Sequence, residues 1–347
     1  MGDEKASQMP QLSRPPGWEH ADERLYTIAS PAGDAVAWIC PEIGGGTVGY
    51  AVRIGERWVQ VLDVPPSPAE FRAVPSRYGL PILFPFPGAM RSGRYRWAGR
   101  EHVVPPTYPD GSDPQGATVV IHGFAHIRPW RFVDQDADRI VLEFRTPDAL
   151  DPDRAASYPF TVSLRHRISL GSDGLTSVLT AENQGTESAP LAFGLHPYFG
   201  AEVLGSDRSK VQVELPGSSA RTRGTPERPG MSGAKEPAAS GPVAVVPHGQ
   251  TMIASRTDLG PAPAVARVVN LAPIDGRSGW TIELSMDAGY RDLLLFAPPV
   301  QTSISLEPQT HMPGGASLPE GDPNGLVGLA PGETLSATAV IRLVPPR

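Results

Sequence analysis

The stretch TVSLRHRISL, residues 161–170, decides the fold class because its apolar residues recur at every second position. Such a period places them all on one face of a β-strand and the polar residues on the other. Those that share the apolar face are Val162, Leu164, Ile168 and Leu170. WTIELSM at 280–286 and TLSATAVIRL at 334–343 repeat the pattern. Each stretch is therefore predicted to be a strand with one buried face.

Shorter candidate strands follow one another along the rest of the chain. They recur too often to leave room for helical crossovers, so the sheets are predicted to be antiparallel. Proline and glycine make up 77 of the 347 residues, roughly twice the usual share, which favours many turns. Only residues 68–73 and 148–156 have a brief helical pattern. The predicted fold is all-β, a large antiparallel β-sandwich with few short helices.

The domain layout follows from changes in composition. Residues 1–21 are polar and proline-rich and are predicted to be a flexible lead-in. Residues 22–347 show no shift in character and are predicted to form a single domain. Within it, residues 216–242 are rich in Gly, Ser, Ala, Pro and Arg and lack apolar periodicity. This segment is predicted to be a low-complexity loop, with a linker as the alternative.

Charge and cysteine content exclude several classes of protein. The formal net charge of −7 and the pI near 5.6 argue against a general nucleic-acid binder. No apolar run approaches the roughly 18 residues of a membrane span, and the N-terminal residues lack the apolar core of a signal peptide. The single cysteine, Cys40, excludes an intramolecular disulfide and a Cys-based zinc site. We therefore expect a cytoplasmic protein that binds neither nucleic acid nor membrane.

Three segments carry ionisable residues where an apolar strand ends. His122 lies in VIHGFAHIRPW, His196 in LAFGLHPYFG and Glu307 in ISLEPQTHMP. Proline follows His196 and Glu307 directly and limits the local backbone, which suits side chains that face a cavity. Taken singly, each residue is more often a hydrogen-bonded or solvated strand end. Taken together, they form a candidate acid–base set.

Two other motifs predict sites that their surroundings do not support. Gly44, Gly46 and Gly49 fit the G-x-G-x-x-G pattern, but the sequence after them alternates as a strand, whereas a dinucleotide site needs a helix there. His122 and His126 are four residues apart, but Gly123 argues against the helix that would bring them onto one metal. We therefore predict neither a dinucleotide cofactor nor a metal.

The sequence resembles the aldose 1-epimerase (mutarotase) family, including its hexose-phosphate mutarotase relatives. The resemblance covers most of the chain after about residue 30. It rests on GLPILFPFPG at 79–88, SGRYRWAGREHVVP at 92–105, HGFAHIRPW from His122, HPYFG from His196 and SLEPQT from Ser305. It implies a large β-sandwich of the galactose mutarotase type, with a sugar cleft across one sheet.

The resemblance also implies roles for the three ionisable residues. Glu307 matches the family's catalytic base, His196 its general acid, and His122 the histidine that contacts the sugar near the ring oxygen. A glutamate of ordinary pKa, near 4.3, is ionised at neutral pH, and a neighbouring carboxylate favours a protonated histidine. We therefore expect ionised Glu307 beside protonated His196, with no cofactor.

The chain departs from the family at its arginines. Many relatives have an arginine shortly after the F-P-x-P stretch, where this chain has Ala89, so Arg91 is the nearest substitute as a ligand of sugar hydroxyls. A solvated hairpin arginine is the alternative for Arg91. Phosphate-preferring relatives carry HGFAR, whereas this chain has His126 at the last position. Arg77, Arg91 and Arg128 keep an anion site open.

The leading prediction is an aldose 1-epimerase that interconverts the α and β anomers of a free aldose. The alternatives are a hexose-6-phosphate 1-epimerase and a non-catalytic carbohydrate-binding protein on the same fold. The family's cleft aspartate has no secure counterpart, and Asp258 is the nearest candidate. The expected partner is a small sugar, and the expected state is a monomer or homodimer.

Overall fold

The computed structural model describes residues 13–90, 92–108, 119–223, 231–273 and 277–346. Strands dominate it, and they are numbered β1 to β27 in chain order. Their bounds are Tyr26–Ala29, Ala35–Cys40, Gly46–Ile54, Arg57–Gln60, Ile82–Leu83, Ala89–Met90, Arg94–Trp97, Arg100–Val103, Val120–Ile121, Arg131–Gln135, Arg139–Arg145, Val162–Gly171, Gly174–Asn183, Ala189–Leu191, Gly194–Leu195, Tyr198–Phe199, Val211–Glu214, Ser219–Arg223, Met231–Pro237, Val243–Ala244, Met252–Thr257, Ala264–Asn270, Trp280–Met286, Asp292–Ala297, Ile304–Gln309, Val327–Leu329 and Thr334–Val344.

Helices are few and short. The α-helices α1 to α3 span Pro68–Ala73, Pro152–Ser157 and Ala201–Leu204. Single 3₁₀ turns span Pro75–Arg77, Ala125–Ile127, Arg208–Lys210 and Gly315–Ser317. Helix α1 has the predicted bounds, because the Ser67 side chain accepts a hydrogen bond from the Glu70 N–H and proline occupies the first turn. None of the helices in the described part is long and apolar enough to cross a membrane.

Two large antiparallel sheets form the sandwich, which confirms the predicted fold class. A nine-stranded sheet has the order β10-β11-β12-β13-β27-β23-β22-β17-β20. An eight-stranded sheet has the order β19-β18-β21-β24-β25-β15-β5, with β16 also paired to β25. The first four strands form a smaller sheet of their own.

The apolar core lies between the two large sheets. From Leu164 onward strand β12 alternates buried residues with exposed or partly exposed ones, as the sequence predicts, and Leu164 is fully buried. Leu164 belongs to the same apolar cluster as Leu284 of β23 and as Leu295 and Leu306 of the eight-stranded sheet. Period-two alternation therefore places one face of each sheet in a shared core.

The predicted loop at residues 216–242 is wrong over part of its length. Strands β18 and β19 lie within it and pair with each other, with Arg221 opposite Lys235, and β18 also pairs with β21. Backbone hydrogen bonds hold such an edge pair without an apolar alternation, so composition gave no sign of it. Arg221 is buried there.

The flexible lead-in predicted at residues 1–21 is not flexible at its C-terminal end. Residues 1–12 lie outside the described residues, but Trp18 is fully buried. Its indole Nε1–H donates to the Pro65 carbonyl at 3.0 Å, and its ring packs edge-on against Phe71 at 6.0 Å between ring centroids. This end of the segment is therefore anchored rather than flexible.

Replacing Trp18 by Ala is expected to lower the free energy of unfolding by about 3–5 kcal/mol, because it opens a large cavity in a packed cluster. Val300→Ala is the matched control, since Val300 is 69% exposed and truncation there should change stability by less than about 0.5 kcal/mol. Urea unfolding measures both. Equal midpoints for wild type and Trp18→Ala would mean that the segment contributes nothing to the fold.

Candidate active site

Strand register brings His196 and Glu307 face to face. In the eight-stranded sheet, Gly194 of β15 pairs with Gln309 of β25, and Tyr198 of β16 pairs with Ser305. Continuing the same register places His196 opposite Glu307, and opposed residues of an antiparallel pair project to the same face. Their side chains meet there, with His196 Nε2 at 3.2 Å from Glu307 Oε1.

Two prolines interrupt the ladder at this point. Pro197 and Pro308 have no backbone N–H, so neither can donate to the neighbouring strand. The His196 N–H turns the other way and donates to the Pro81 carbonyl at 3.0 Å. The prolines noted in the sequence therefore mark the break between β15 and β16 at which the acid–base candidates meet.

Hydrogen bonds from the same strand hold both side chains in place. The hydroxyl of Ser305 lies 2.8 Å from His196 Nδ1. The amide Nε2 of Gln309 donates to Glu307 Oε2 at 3.2 Å. Ser305, Glu307 and Gln309 alternate along β25 and so share a face. The His196 ring also stacks on Tyr198, with 4.7 Å between ring centroids.

His122 completes the group from a separate segment. Its φ of +59° is in the left-handed region, which is uncommon for a residue with a side chain. Two backbone bonds hold it there, from the His122 N–H to the Gly88 carbonyl and from the Phe84 N–H to the His122 carbonyl. The next residue must be glycine, because a Cβ on Gly123 would lie 2.3 Å from the Phe84 oxygen. The His122 ring lies 5.1 Å from the His196 ring, centroid to centroid.

The tautomer of His122 follows from its hydrogen bond. The Gly88 N–H donates to His122 Nδ1 at 3.2 Å. An accepting Nδ1 carries no hydrogen, so the ring proton of neutral His122 is on Nε2. His122 can therefore donate a hydrogen bond from Nε2.

Burial controls the protonation of the site. It raises the pKa of Glu307 to about 8 and holds the pKa of His196 well below its usual range. It also lowers the pKa of His122 to about 3. Desolvation disfavours both charges and so works against the expected state, ionised Glu307 beside protonated His196, in the sugar-free protein. A neutral pair with the carboxyl proton on Glu307 is favoured instead.

This neutral pair still holds the proton that acid–base catalysis needs. Moving one proton from Glu307 to His196 Nε2 converts the neutral pair into a carboxylate and an imidazolium without changing the total number of protons. The two groups are in contact, so they titrate as a pair. The site can accept a proton at one residue while it supplies one from the other.

Of the three arginines considered for an anion site, Arg128 is bound by other groups of the protein. Arg91 lies outside the described residues. Arg128 Nε donates to the Ala149 carbonyl at 3.2 Å, and its Nη1 lies 3.6 Å from Asp151. Arg128 is therefore already engaged by protein groups and is a poor candidate for an anion site.

Sequence reasoning missed Ser305 and Gln309, although the signal was present. The stretch SLEPQ carries polar residues at alternate positions inside an apolar strand. Period two alone would have placed all three polar residues on the face of the candidate base.

Ser305→Ala is expected to lower kcat for the reaction proposed below by about threefold to tenfold, the value of one neutral hydrogen bond. The variant should also shift the pH profile, because Ser305 orients the His196 ring through Nδ1. Ser305→Thr keeps a hydroxyl at this position and should restore most of the rate. A loss of equal size in both variants would indicate a packing defect rather than a positioning role.

Comparisons with known proteins identify the family and the fold of the chain. The family model described as aldose 1-epimerase matches residues 26–222, more than half of the chain. Among curated proteins of Escherichia coli K12, the uncharacterized protein YphB is 24% identical over 282 residues, which is 75% of this chain and 82% of YphB. The uncharacterized protein YihR is 26% identical over 153 residues, which is 44% of this chain. The match spans less than half of YihR, 45% of its length.

A solved structure shows the shared fold. The GalM/aldose epimerase homologue from C. elegans superposes with a TM-score of 0.74 at 12% identity, covering 94% of this chain and all of the homologue. The fold is therefore the all-β fold of galactose mutarotase-like proteins. Together with the family match over residues 26–222, this shows that the chain belongs to the aldose 1-epimerase family.

Proposed function

We propose that the protein is an aldose 1-epimerase that interconverts the α and β anomers of a free aldose. The observation that carries the proposal is the contact between His196 and Glu307 on one face of the eight-stranded sheet. Anomer exchange requires a base within reach of the anomeric hydroxyl and an acid within reach of the ring oxygen, and these two oxygens are bonded to the same carbon.

The reaction follows from the pair in its ion-pair form. Glu307 takes the proton from the anomeric hydroxyl while His196 Nε2 gives its proton to the ring oxygen. The C1–O5 bond breaks and the C1–O bond becomes a carbonyl, so the sugar opens to the free aldehyde. Rotation about C1–C2 presents the other face of the carbonyl. On closure Glu307 returns its proton to the C1 oxygen and the C5 hydroxyl returns its proton to His196 Nε2, which restores the ion pair. No cofactor enters these steps.

Neighbouring groups position the sugar in this proposal. His122 donates from Nε2 to an oxygen near the ring oxygen, since its ring lies beside that of His196. Phe296 is half-buried, pairs with Ser305 across the sheet and approaches the His196 ring edge-on at 6.3 Å. It presents an apolar surface for one face of the sugar.

Polarimetry on freshly dissolved α-D-glucose and α-D-galactose tests the function. The protein should speed the approach to anomeric equilibrium in proportion to its concentration. No acceleration with these sugars or with a panel of free pentoses would overturn the proposal.

The alternatives receive less support from the described residues. A hexose-6-phosphate 1-epimerase needs a cluster of available cations, and Arg128 is held by Asp151 and Ala149. A pure carbohydrate-binding protein has no need of a proton-transfer pair. A strong preference for the phosphorylated sugar would favour the hexose-6-phosphate 1-epimerase. Tight sugar binding without anomer exchange would favour the carbohydrate-binding protein.

The pH profile of kcat/KM is expected to be bell-shaped. Above about pH 8 the pair loses its shared proton and with it the acid, so the rate falls. On the acid side a second proton on the pair removes the base. Because burial lowers the pKa of His196, we expect this fall in rate below the ordinary histidine pKa of 6.5. Rates measured from pH 4 to 10 check both limbs. A rate that continues to rise above pH 9 would contradict a shared catalytic proton.

A further inference from the structure

A polar cavity opens beyond the end of strand β25. Its volume is about 400 Å³, within the range of small-molecule sites. Its wall includes Arg221, Asp258, Ala288, Asp292, His311 and Asn324. None of these residues belongs to the acid–base group described above.

The cavity lies on the same face of the sheet as Glu307. Asp292 pairs directly with Gln309, so their side chains share a face, and Gln309 lies two residues from Glu307 on that face. Two residues of an antiparallel strand span about 7 Å. The cavity wall therefore begins about that distance from the candidate base along β25 and continues to His311 beyond the strand end.

A buried ion pair fixes one wall of the cavity. The side chains of Arg221 and Asp292 are 4% and 3% exposed, and the guanidinium bonds the carboxylate through both Nε and Nη2. Arg221 Nη1 also donates to Asn324 Oδ1 at 2.9 Å. Bidentate geometry of this kind gives a rigid polar surface.

Other polar atoms of the wall are buried without partners. His311 is 3% exposed, and neither ring nitrogen makes a hydrogen bond of ordinary geometry among the described residues. The Tyr290 hydroxyl is also buried, and no described residue forms a hydrogen bond with it. Buried polar groups nearly always have a hydrogen-bond partner, so these atoms point to a ligand that supplies one.

The charges of the wall balance each other. Arg221 is paired with Asp292, and Lys235 lies 2.8 Å from Asp258. The remaining charged residues of the wall, Asp287 and Arg291, are opposite in sign. Burial lowers the pKa of His311 to about 4, so its ring is neutral at pH 7 and offers one donor and one acceptor. A wall without net charge suits hydroxyl groups, which both donate and accept, better than a phosphate or carboxylate.

We infer that this cavity is a subsite for a second, uncharged sugar unit, so that the preferred substrate is a reducing disaccharide whose reducing ring lies over His196 and Glu307. The inference rests on the proposed function for the placement of the reducing ring. The second ring would then occupy the cavity between Asp292 and His311.

The experiment compares anomer exchange, measured by NMR, for glucose, maltose, cellobiose, lactose and melibiose. At least one disaccharide should exceed glucose in kcat/KM by about tenfold, equivalent to about 1.4 kcal/mol. Ala288→Trp narrows the cavity from an exposed position, and His311→Phe removes both ring nitrogens at similar volume. Each should lower the disaccharide-to-glucose ratio of kcat/KM about tenfold. Ala73→Trp, at an exposed position outside the cavity wall, should leave the ratio unchanged.

Binding separates this inference from the proposed function. Calorimetry with Glu307→Gln should show tighter binding of the preferred disaccharide than of glucose, and Ala288→Trp on that background should remove the difference. If no sugar undergoes anomer exchange but this difference is found, the proposed function fails and the subsite stands. If glucose is converted as well as every disaccharide and binds equally, the subsite fails and the proposed function stands. Preference for glucose 6-phosphate or a uronic acid over every neutral disaccharide would also overturn the subsite.

Discussion

Glu307→Gln is expected to lower kcat for anomer exchange by about 10²–10⁴-fold, the usual contribution of a positioned acid–base group. The amide fills the same space and still accepts a hydrogen bond from Gln309, but it cannot take the anomeric proton. The loss should appear in kcat more than in KM, because the sugar contacts proposed for His122 remain. Polarimetry with wild type and variant at equal concentration measures the ratio.

Stability provides the control for Glu307→Gln. The pKa of folded Glu307, about 8, lies above the value of a free glutamate, 4.5. The stabilisation linked to its proton is therefore complete below about pH 4.5 and is lost as pH rises through 8. The Gln variant lacks this loss, so its melting temperature relative to wild type should increase between pH 5 and pH 8.5. Glu283→Gln changes a partly exposed ion pair of the other sheet and is the control. It should keep full activity, and its melting temperature relative to wild type should stay constant between pH 5 and pH 8.5. Full activity in Glu307→Gln would place the base elsewhere.

Local periodicity predicts the strands of this fold where one face is buried. Residues 161–170 alternate because one side of β12 packs in the core, and the Ser67 cap with Pro68 marks the start of α1. The same reasoning fails for β18 and β19 because an edge pair is held by backbone hydrogen bonds and needs no apolar face. It fails for Trp18 because its packing partner Phe71 lies more than fifty residues away in the sequence.

The candidate site was predictable only in part. Proline after a polar residue at a strand end pointed to His196 and Glu307, and the register of β15, β16 and β25 brings them together. Their protonation was not predictable, because desolvation depends on neighbours from several strands. The cavity beyond β25 was also missed. Arg221 and Asp292 are 71 residues apart and meet only through the pairing of β18, β21 and β24.

His196→Asn is expected to lower kcat by about 10²-fold or more, because the ring oxygen then receives no proton as the C1–O5 bond breaks. The double variant His196→Asn/Glu307→Gln provides the sharper test. In the proposed mechanism the two residues, in contact at 3.2 Å, act as one proton-transfer pair, and groups that act as a unit show strongly non-additive losses. The double variant should therefore be no more than about threefold slower than the slower single variant. If the two losses multiply instead, His196 and Glu307 act independently, and the acid or the base must have another proton partner.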